Sequence, residues 1–546
     1  MAGSRDMPST STSTAAVVAD YIRAAGVRFV FAYPGESIIE LMEAARAGGV
    51  EVVLGRREGT AAFMAEAAAM ATGIPGVCLS TLGPGSTALV NGVAAATWDR
   101  VPMVAISGQI ETSREQVFTH QVVDHKLLFS PVAKWAGRIE AAAAGTIMRK
   151  ALRLAVAERP GAVHLTGAAD TFQAPARDAG VALPPLGAAT ETVQVHRASG
   201  SGADPVERLE RARRPVVLAG IAATRCNASG ALVRLAETVG VPVVVAPMSK
   251  GVFPEDHPYF AGVFDMACNQ VVRDFLDGSD LIVTAGFDPV ELLRPWSLTT
   301  PVLHVDTTPN VDQVYASDCE VVGDVAASLD WLTGAWHGEP RWTEREVASH
   351  RDRLRTAYYA GRVEGRLNPT DVVDVMRAAT PRETVVTCDV GSHKLLVGQG
   401  WQAFQPRSVL MSNGLSAMGL GLPGAIAAQL VGGDRPVVAL VGDGGFAMAA
   451  TELRLAASRS LPLAVVVFVD GSLNRIELKQ LALGLPSTAT RLETMDLVGL
   501  AQSMDCDGVR VSSVPELEKA AAGIQALTRP LVIEACIDPS QYQAHF

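Results

Sequence analysis

The chain has 546 residues, 48% hydrophobic and 19% charged, with a net charge of −11. That length suits about three or four domains around large cores, and the acidic balance argues against a general nucleic-acid or membrane-surface binder. Seven cysteines are dispersed with no C-x-x-C pair, which reads as reduced thiols in a cytoplasmic protein rather than a disulfide or zinc framework, and no apolar run approaches the ~18 residues of a membrane span.

Residues 1–14 are rich in Ser and Thr without an apolar core. They read as a disordered leader and not as a secretory signal. From 15 to 175 helical and strand patterns alternate: helix 16–25, strand 28–32, strand 52–55, an Ala-rich buried helix 59–72 stopped by Gly73 and Pro75, strand 76–80 and strand 101–107. Turns fall at Tyr33-Pro34-Gly35-Glu36-Ser37, where Ser37 is expected to cap the next helix, and at Gly83-Pro84-Gly85-Ser86. This alternation implies a doubly wound parallel sheet.

Periodicity fades over 175–205, read as a linker. A second α/β domain covers 206–336, with strands at 215–218, 242–245, 281–285 and 302–305. A charged, helix-prone arm follows at 342–366. The third domain, 368–546, has strands at 384–388, 437–441, 463–469 and 531–535. The expected fold is therefore α/β, three consecutive parallel-sheet domains, with no short-period repeat.

The most informative stretch is Val437 to Phe446, an apolar β-branched run that opens into Gly442-Asp443-Gly444-Gly445. A second such run ends at Asp470-Gly471-Ser472. Both read as buried parallel strands with a carboxylate at the C-terminal lip. Glycines admit close approach of backbone to ligand, and the helix that follows favours phosphate at its start. Two carboxylates at neighbouring strand ends repel unless a cation lies between them, so a divalent metal on a diphosphate fits. The same glycines match a dinucleotide fingerprint, with Asp470 on a ribose. That alternative leaves Asp443 facing the diphosphate with a like charge. A plain glycine turn in an α/β sheet is the third reading.

Further stretches carry a family resemblance. Gly442-Asp443-Gly444 followed by Asp470 resembles the thiamine-diphosphate motif. Arg56-Arg57-Glu58 with Ala61-Ala62-Phe63-Met64-Ala65 resembles the family's R-H-E-x-x-A-x-x-M-A segment, and Asn413 to Pro423 its G-x-M-G-x-G-L-P-x-A segment. The ordered set spans nearly the whole chain. Within the family the chain is most similar to acetolactate synthases of the flavin-free, catabolic kind, on Thr119-His120-Gln121-Val122-Val123-Asp124, on Leu128 to Trp135, on Gly286-Phe287-Asp288-Pro289-Val290-Glu291 and on Val469-Asp470-Gly471. Carboxyethylarginine synthase shares the Thr-His-Gln segment.

The resemblance implies a pyrimidine-binding first domain, a central domain and a diphosphate-binding third domain. It implies roles residue by residue. Glu58 would bond the pyrimidine ring of the cofactor, a task suited to a buried carboxyl of raised pKa; the alternative is a surface acid at a helix start. The usual His before it is Arg57 here. Met418 would wedge between the cofactor's rings and the carbonyl of Ser416 would meet the pyrimidine amino group, although a Met in an apolar run is more often core. Ser392 and His393 match diphosphate contacts. Gly442, Gly444 and Gly445 would line the cofactor. Asp443, Asp470 and the main-chain oxygen of Ser472 would hold Mg²⁺, with Asp470 standing for an Asn and Val469 replacing another.

On the substrate side the resemblance points to Gln121, with His120 beside it, the alternative being satisfied polar loop residues. It also points to the position of Arg475, next to Ile476, where an apolar residue is usual and the arginine either meets an anionic acceptor or points to solvent. Glu36 replaces a small residue near the reactive carbon. The function implied is a carboligase that decarboxylates a 2-oxo acid, pyruvate first, and joins the acyl group to a second carbonyl. The alternatives are a decarboxylase releasing an aldehyde with Glu36 as proton donor, a carboxyethylarginine-synthase-like enzyme, and a non-catalytic cofactor-binding protein on the same scaffold. FAD is not expected. Sites in the family form between subunits, so a homodimer or homotetramer is implied.

Overall fold

The computed structural model describes residues 12–178, 180–187, 192–197 and 204–545. Three sheets follow one another. The first holds β1 (Phe29–Ala32), β2 (Glu51–Leu54), β3 (Gly76–Ser80), β4 (Met103–Gln109), β5 (Trp135–Arg138) and β6 (Ala162–Ala168), all parallel, in the order β2-β1-β3-β4-β6-β5. Pairing of β4 starts at Met103 rather than Val101. Pro102 has no N–H to give to a ladder, and its carbonyl instead accepts from Gly76 N.

The second sheet holds β7 (Gln194–Arg197), β8 (Pro215–Ala219), β9 (Val243–Val245), β10 (Phe260–Val263), β11 (Leu281–Ala285), β12 (Val302–Asp306) and β13 (Cys319–Val322), in the order β10-β9-β8-β11-β12-β13-β7. Among the described strands only β7 is antiparallel. The third sheet holds β14 (Val385–Cys388), β15 (Val409–Met411), β16 (Val437–Gly442), β17 (Leu463–Val469), β18 (Asp507–Val511) and β19 (Leu531–Cys536), in the order β15-β14-β16-β17-β19-β18. The first and third sheets thus share one strand order, and in each it reverses between the first and third strands. Ligands of open α/β sheets bind outside the strand ends at such a reversal.

The first sheet with its helices is one compact unit. The second and third sheets together form another, which shares a core: Val217 and Met266 of the central domain belong to the same cluster of buried side chains as Leu395 and Val466 of the third. The arm is a helix, Glu344–Tyr358, started by a capping box of Thr343 and Glu346. No helix among the described residues is long and apolar enough to cross a membrane.

Three local expectations are corrected. Residues 1–11 of the expected leader lie outside the described residues, but Thr14 already begins a helix, Thr14–Ala24. Ser13 caps it by accepting from Ala16 N, and Thr14 N donates to Ala174 O. The residues taken for a linker contain β7, an exposed edge strand too short and polar to show apolar alternation. The helix Pro205–Arg211 follows with Asp204 as its cap. Ser37 caps nothing: it lies inside a 3-10 turn, Glu36–Ile38, and its Oγ pairs with Thr81 Oγ1 at 3.1 Å.

Candidate active site

In the third domain, the chain leaves β14 and β16 on either side of the reversal. After β16 comes the helix Asp443–Ala449, and after β14 the helix Ser392–Gly400. Here a cavity of about 140 Å³ is lined by Ser392, His393, Met418, Asp443, Asp470 and Arg475, with Gly442, Gly444, Gly445, Ser472 and Ile476 also at its wall. The sequence-assigned residues of this domain therefore converge on one cavity, except Ser416, which does not line it.

Asp443 Oδ1 accepts from Gly444 N at 2.8 Å, and Oδ2 accepts from Gly471 N at 2.8 Å and Asp470 N at 3.3 Å. Asp470 Oδ1 accepts from Ser472 N at 3.0 Å. The two loops are thus tied through the first carboxylate. Burial holds Asp443 above the usual carboxylate range. Burial, and then the charge of Asp443, push Asp470 up to about 7. Two carboxylates that resist ionisation side by side are a cation site by their electrostatics.

Among the described residues no group of three or more His, Cys, Asp or Glu side chains forms a metal cage. A cation here would take two carboxylates and complete its shell from main-chain oxygen, a ligand and water, which is how Mg²⁺ is commonly held. The Ser472 hydroxyl is spent on Glu477 Oε2 at 2.6 Å, so only its main-chain oxygen fits the expected role. The residues present fit a magnesium–diphosphate group.

The glycines are required by space. A Cβ on Gly444 would lie 2.9 Å from Leu473 Cδ2 and 3.4 Å from Met418 Cε, and one on Gly445 would lie 2.4 Å from Asp389 Oδ2. The loop is packed against groups from three other segments. His393 is buried, stacks on Phe468 at 5.2 Å, and is pushed down to about 4 by burial, so it is neutral. Its Nε2 has no hydrogen-bond partner among the described residues. Ser392 Oγ donates to Asn474 Oδ1 at 2.9 Å.

Two buried charged residues were not singled out from sequence. Asp389, just past β14, accepts the N–H of Gly419 with both oxygens and of Val390 with one. Lys394 Nζ donates to Ser412 O at 2.6 Å and Asn413 Oδ1 at 2.9 Å. They grip the two ends of the segment 413–419, which carries Ser416 and Met418. Ser416 has φ 53°, and its Oγ donates to Asn413 O, a local bond that supports the left-handed turn. The rule that picked out Asp443 and Asp470, an acid where an apolar strand ends, also picks out Asp389; the lysine had no such signal.

Arg475 is half-buried in the first turn of the helix Asn474–Ala482, and its guanidinium is held below its usual pKa by burial and by Arg294. Ile476 beside it is exposed.

In the first domain the assigned residues gather at the C-terminal edge of β1, β2 and β3. Glu58 opens the helix Glu58–Thr72 and is half-buried. A Cβ on Gly85 would lie 3.2 Å from Glu58 Oε1, and one on Gly83 would lie 2.7 Å from Gln121 O. The Gly83-Pro84-Gly85 turn is thus in contact with both residues. Gln121 is exposed, with φ 60°. Glu36 is exposed beside Gly35, whose Cβ would meet Thr81 at 2.3 Å. His120 is exposed and makes an edge contact with Phe118.

Family models agree with this layout. The N-terminal TPP binding domain of thiamine pyrophosphate enzymes matches residues 12–128, their central domain 203–332 and their C-terminal TPP binding domain 389–535. The chain is 28% identical to an acetolactate synthase of Bacillus subtilis (strain 168), over 96% of this chain and 93% of that protein. It is 29% identical to a catabolic acetolactate synthase of Raoultella terrigena, over 96% and 94%. With an acetolactate synthase large subunit of Parasynechococcus marenigrum (strain WH8102) it shares 30% identity, over 95% and 87%. With all three domains matched in order and relatives aligned over almost their full length, the chain belongs to the thiamine pyrophosphate enzyme family and is an acetolactate-synthase-like enzyme.

Proposed function

We propose that this enzyme is a carboligase of the acetolactate synthase type. It decarboxylates a 2-oxo acid, pyruvate first, and joins the acyl group to a second carbonyl. The observation that carries the reading is the pair of buried Asp443 and half-buried Asp470, at the ends of adjacent strands and facing one cavity with Met418. When bound, thiamine diphosphate supplies the electron sink that no side chain offers. Asp443, Asp470 and the main-chain oxygen of Ser472 hold Mg²⁺. Neutral His393 and Ser392 sit on the diphosphate side. Asp389 and Lys394 keep the Met418 segment in place. Glu58 handles the proton at the pyrimidine, Gln121 and His120 meet substrate, and Arg475 with Ile476 borders the second carbonyl compound.

A second reading, a decarboxylase releasing an aldehyde with Glu36 as proton donor, is supported by Glu36 lying at the same sheet edge as Glu58. Products formed from pyruvate separate the two. Acetolactate supports the carboligase, and free acetaldehyde with no acetolactate refutes it.

We also propose that no FAD is held. The central sheet has the strand order of a dinucleotide fold, yet the crevice between β8 and β11 is filled by the chain itself. A Cβ on Gly220 would lie 2.3 Å from Phe287 Cα and 2.5 Å from Glu291 Oε2. The Glu291 carboxyl accepts from Ile221 N at 2.9 Å. Flavin absorption in the purified protein would overturn this. A homodimer or homotetramer is supported by the exposed Leu481, Leu483 and Leu485 beside the cavity-lining helix, and an active monomer in sedimentation would refute it. Seven unpaired cysteines support a cytoplasmic location.

A further inference from the structure

A second cavity, of about 740 Å³, lies at the junction of the arm, the central domain and the third domain. Its wall carries four arginines. Arg351 and Arg355 are one turn apart on the arm helix; Arg377 ends the helix Pro369–Ala378, and Arg382 follows shortly after. The guanidinium carbons of Arg377 and Arg382 lie 5.0 and 3.7 Å from the ring centre of the same Phe404. Burial and the neighbouring charge of Arg382 hold Arg377 below its usual pKa. Like charges brought together on a part-buried ring repel unless an anion joins them.

The nearby acids offset this set only in part: the charges of Glu255 and Glu383 act on Arg377, and that of Arg355 on Asp374. Glu255 is committed to Lys250 at 2.6 Å, both buried. Asp374 takes the Tyr359 hydroxyl at 2.9 Å, and burial keeps it above the usual carboxylate range. Asp352 is exposed. Arg382 pairs with Asp256 at 2.9 Å. Arg351 donates to a neutral carbonyl, His257 O, at 3.2 Å, and Arg377 to Thr380 and Pro381. The guanidinium of Arg355 makes no hydrogen bond or ion pair among the described residues. Tyr358 Oη, at the same wall, is buried without a hydrogen-bond partner among the described residues.

We propose that this cavity binds a small, multiply charged oxyanion, carrying phosphate or more than one carboxylate. Its volume is that of a metabolite site, and planar guanidinium forks match such oxygens. The helix Ser392–Gly400 begins at the cofactor-domain cavity with Ser392 and His393 and ends at this one with Gln399 and Gly400. Occupancy is therefore felt at the first cavity through a rigid element.

The test is calorimetric titration of the full chain, saturated with thiamine diphosphate and excess Mg²⁺, with inorganic phosphate, ADP and citrate at constant ionic strength. At least one probe is expected to bind. The Arg351→Ala/Arg355→Ala double variant, altered on an arm helix away from the first cavity, is expected to lose at least about tenfold in affinity while staying folded by circular dichroism. A bound probe is expected to shift thiamine diphosphate affinity by about fivefold or more in the wild type but not in that variant. The phosphate, ADP and citrate arms distinguish a phosphate from a polycarboxylate ligand. Failure of all three probes, binding that chloride reproduces, binding indifferent to the double substitution, or cofactor affinity indifferent to the probe would each overturn the proposal.

Discussion

Both carboxylate oxygens of Asp389 accept the main-chain N–H of Gly419, at 2.9 and 3.0 Å. One acid past the first strand of the third sheet therefore anchors the segment that brings Met418 to the cavity.

Burial pushes Asp389 up from 3.8 to about 6. An acid whose folded pKa exceeds its unfolded value favours the fold fully only below the unfolded pKa, and that contribution is lost as pH rises through the folded one. Wild type is thus expected to lose about 3 kcal/mol relative to Asp389→Asn between roughly pH 4 and pH 6.5, at about 1.4 kcal/mol per unit. Paired urea melts across that window check the sign; a constant difference would refute the burial argument.

Gly445→Ala puts a methyl 2.4 Å from Asp389 Oδ2. Backbone and a buried carboxylate cannot both yield cheaply, so a loss of about 1–3 kcal/mol in stability is expected, together with weaker cofactor binding. Gly432→Ala, where a Cβ meets nothing within 4 Å, is the control and should leave both unchanged within about 1 kcal/mol.

Asp443→Asn removes a carboxylate charge and one side of the tie to Gly471. Mg²⁺ affinity, measured by titration in the presence of thiamine diphosphate, should fall at least about a hundredfold, since even indirect partners of metal ligands are worth 10–100-fold. A change of less than a few fold would detach Asp443 from the metal.

Glu58→Gln keeps the size of the side chain and removes its acid. Turnover is expected to fall by about a hundredfold or more, the scale of a positioned proton-transfer group, with thiamine diphosphate affinity kept within about threefold. Small and equal changes in both would return Glu58 to a plain helix-start acid.

Arg475→Met removes a guanidinium held half-buried at the cavity. With an anionic second carbonyl compound, kcat/KM should fall about tenfold or more, and with a neutral aldehyde it should hold. Equal losses for both would mean that Arg475 supports the helix rather than the substrate.

The sequence by itself determined the three parallel sheets and the cavity-lining loop of the third. Apolar β-branched runs, the glycines after β16 and the acids at strand ends are local signals, written in neighbouring residues. Only the tertiary structure decided what those signals meet. Asp389 and Gly419 lie on separate segments, as do His393 and Phe468, Gly220 and Glu291, and the two arginine pairs of the second cavity. Such pairings depend on which strands lie side by side, and no periodicity along the chain encodes that. The edge strand β7 was missed for a related reason: a polar four-residue strand owes its existence to its partner β13, not to its own pattern.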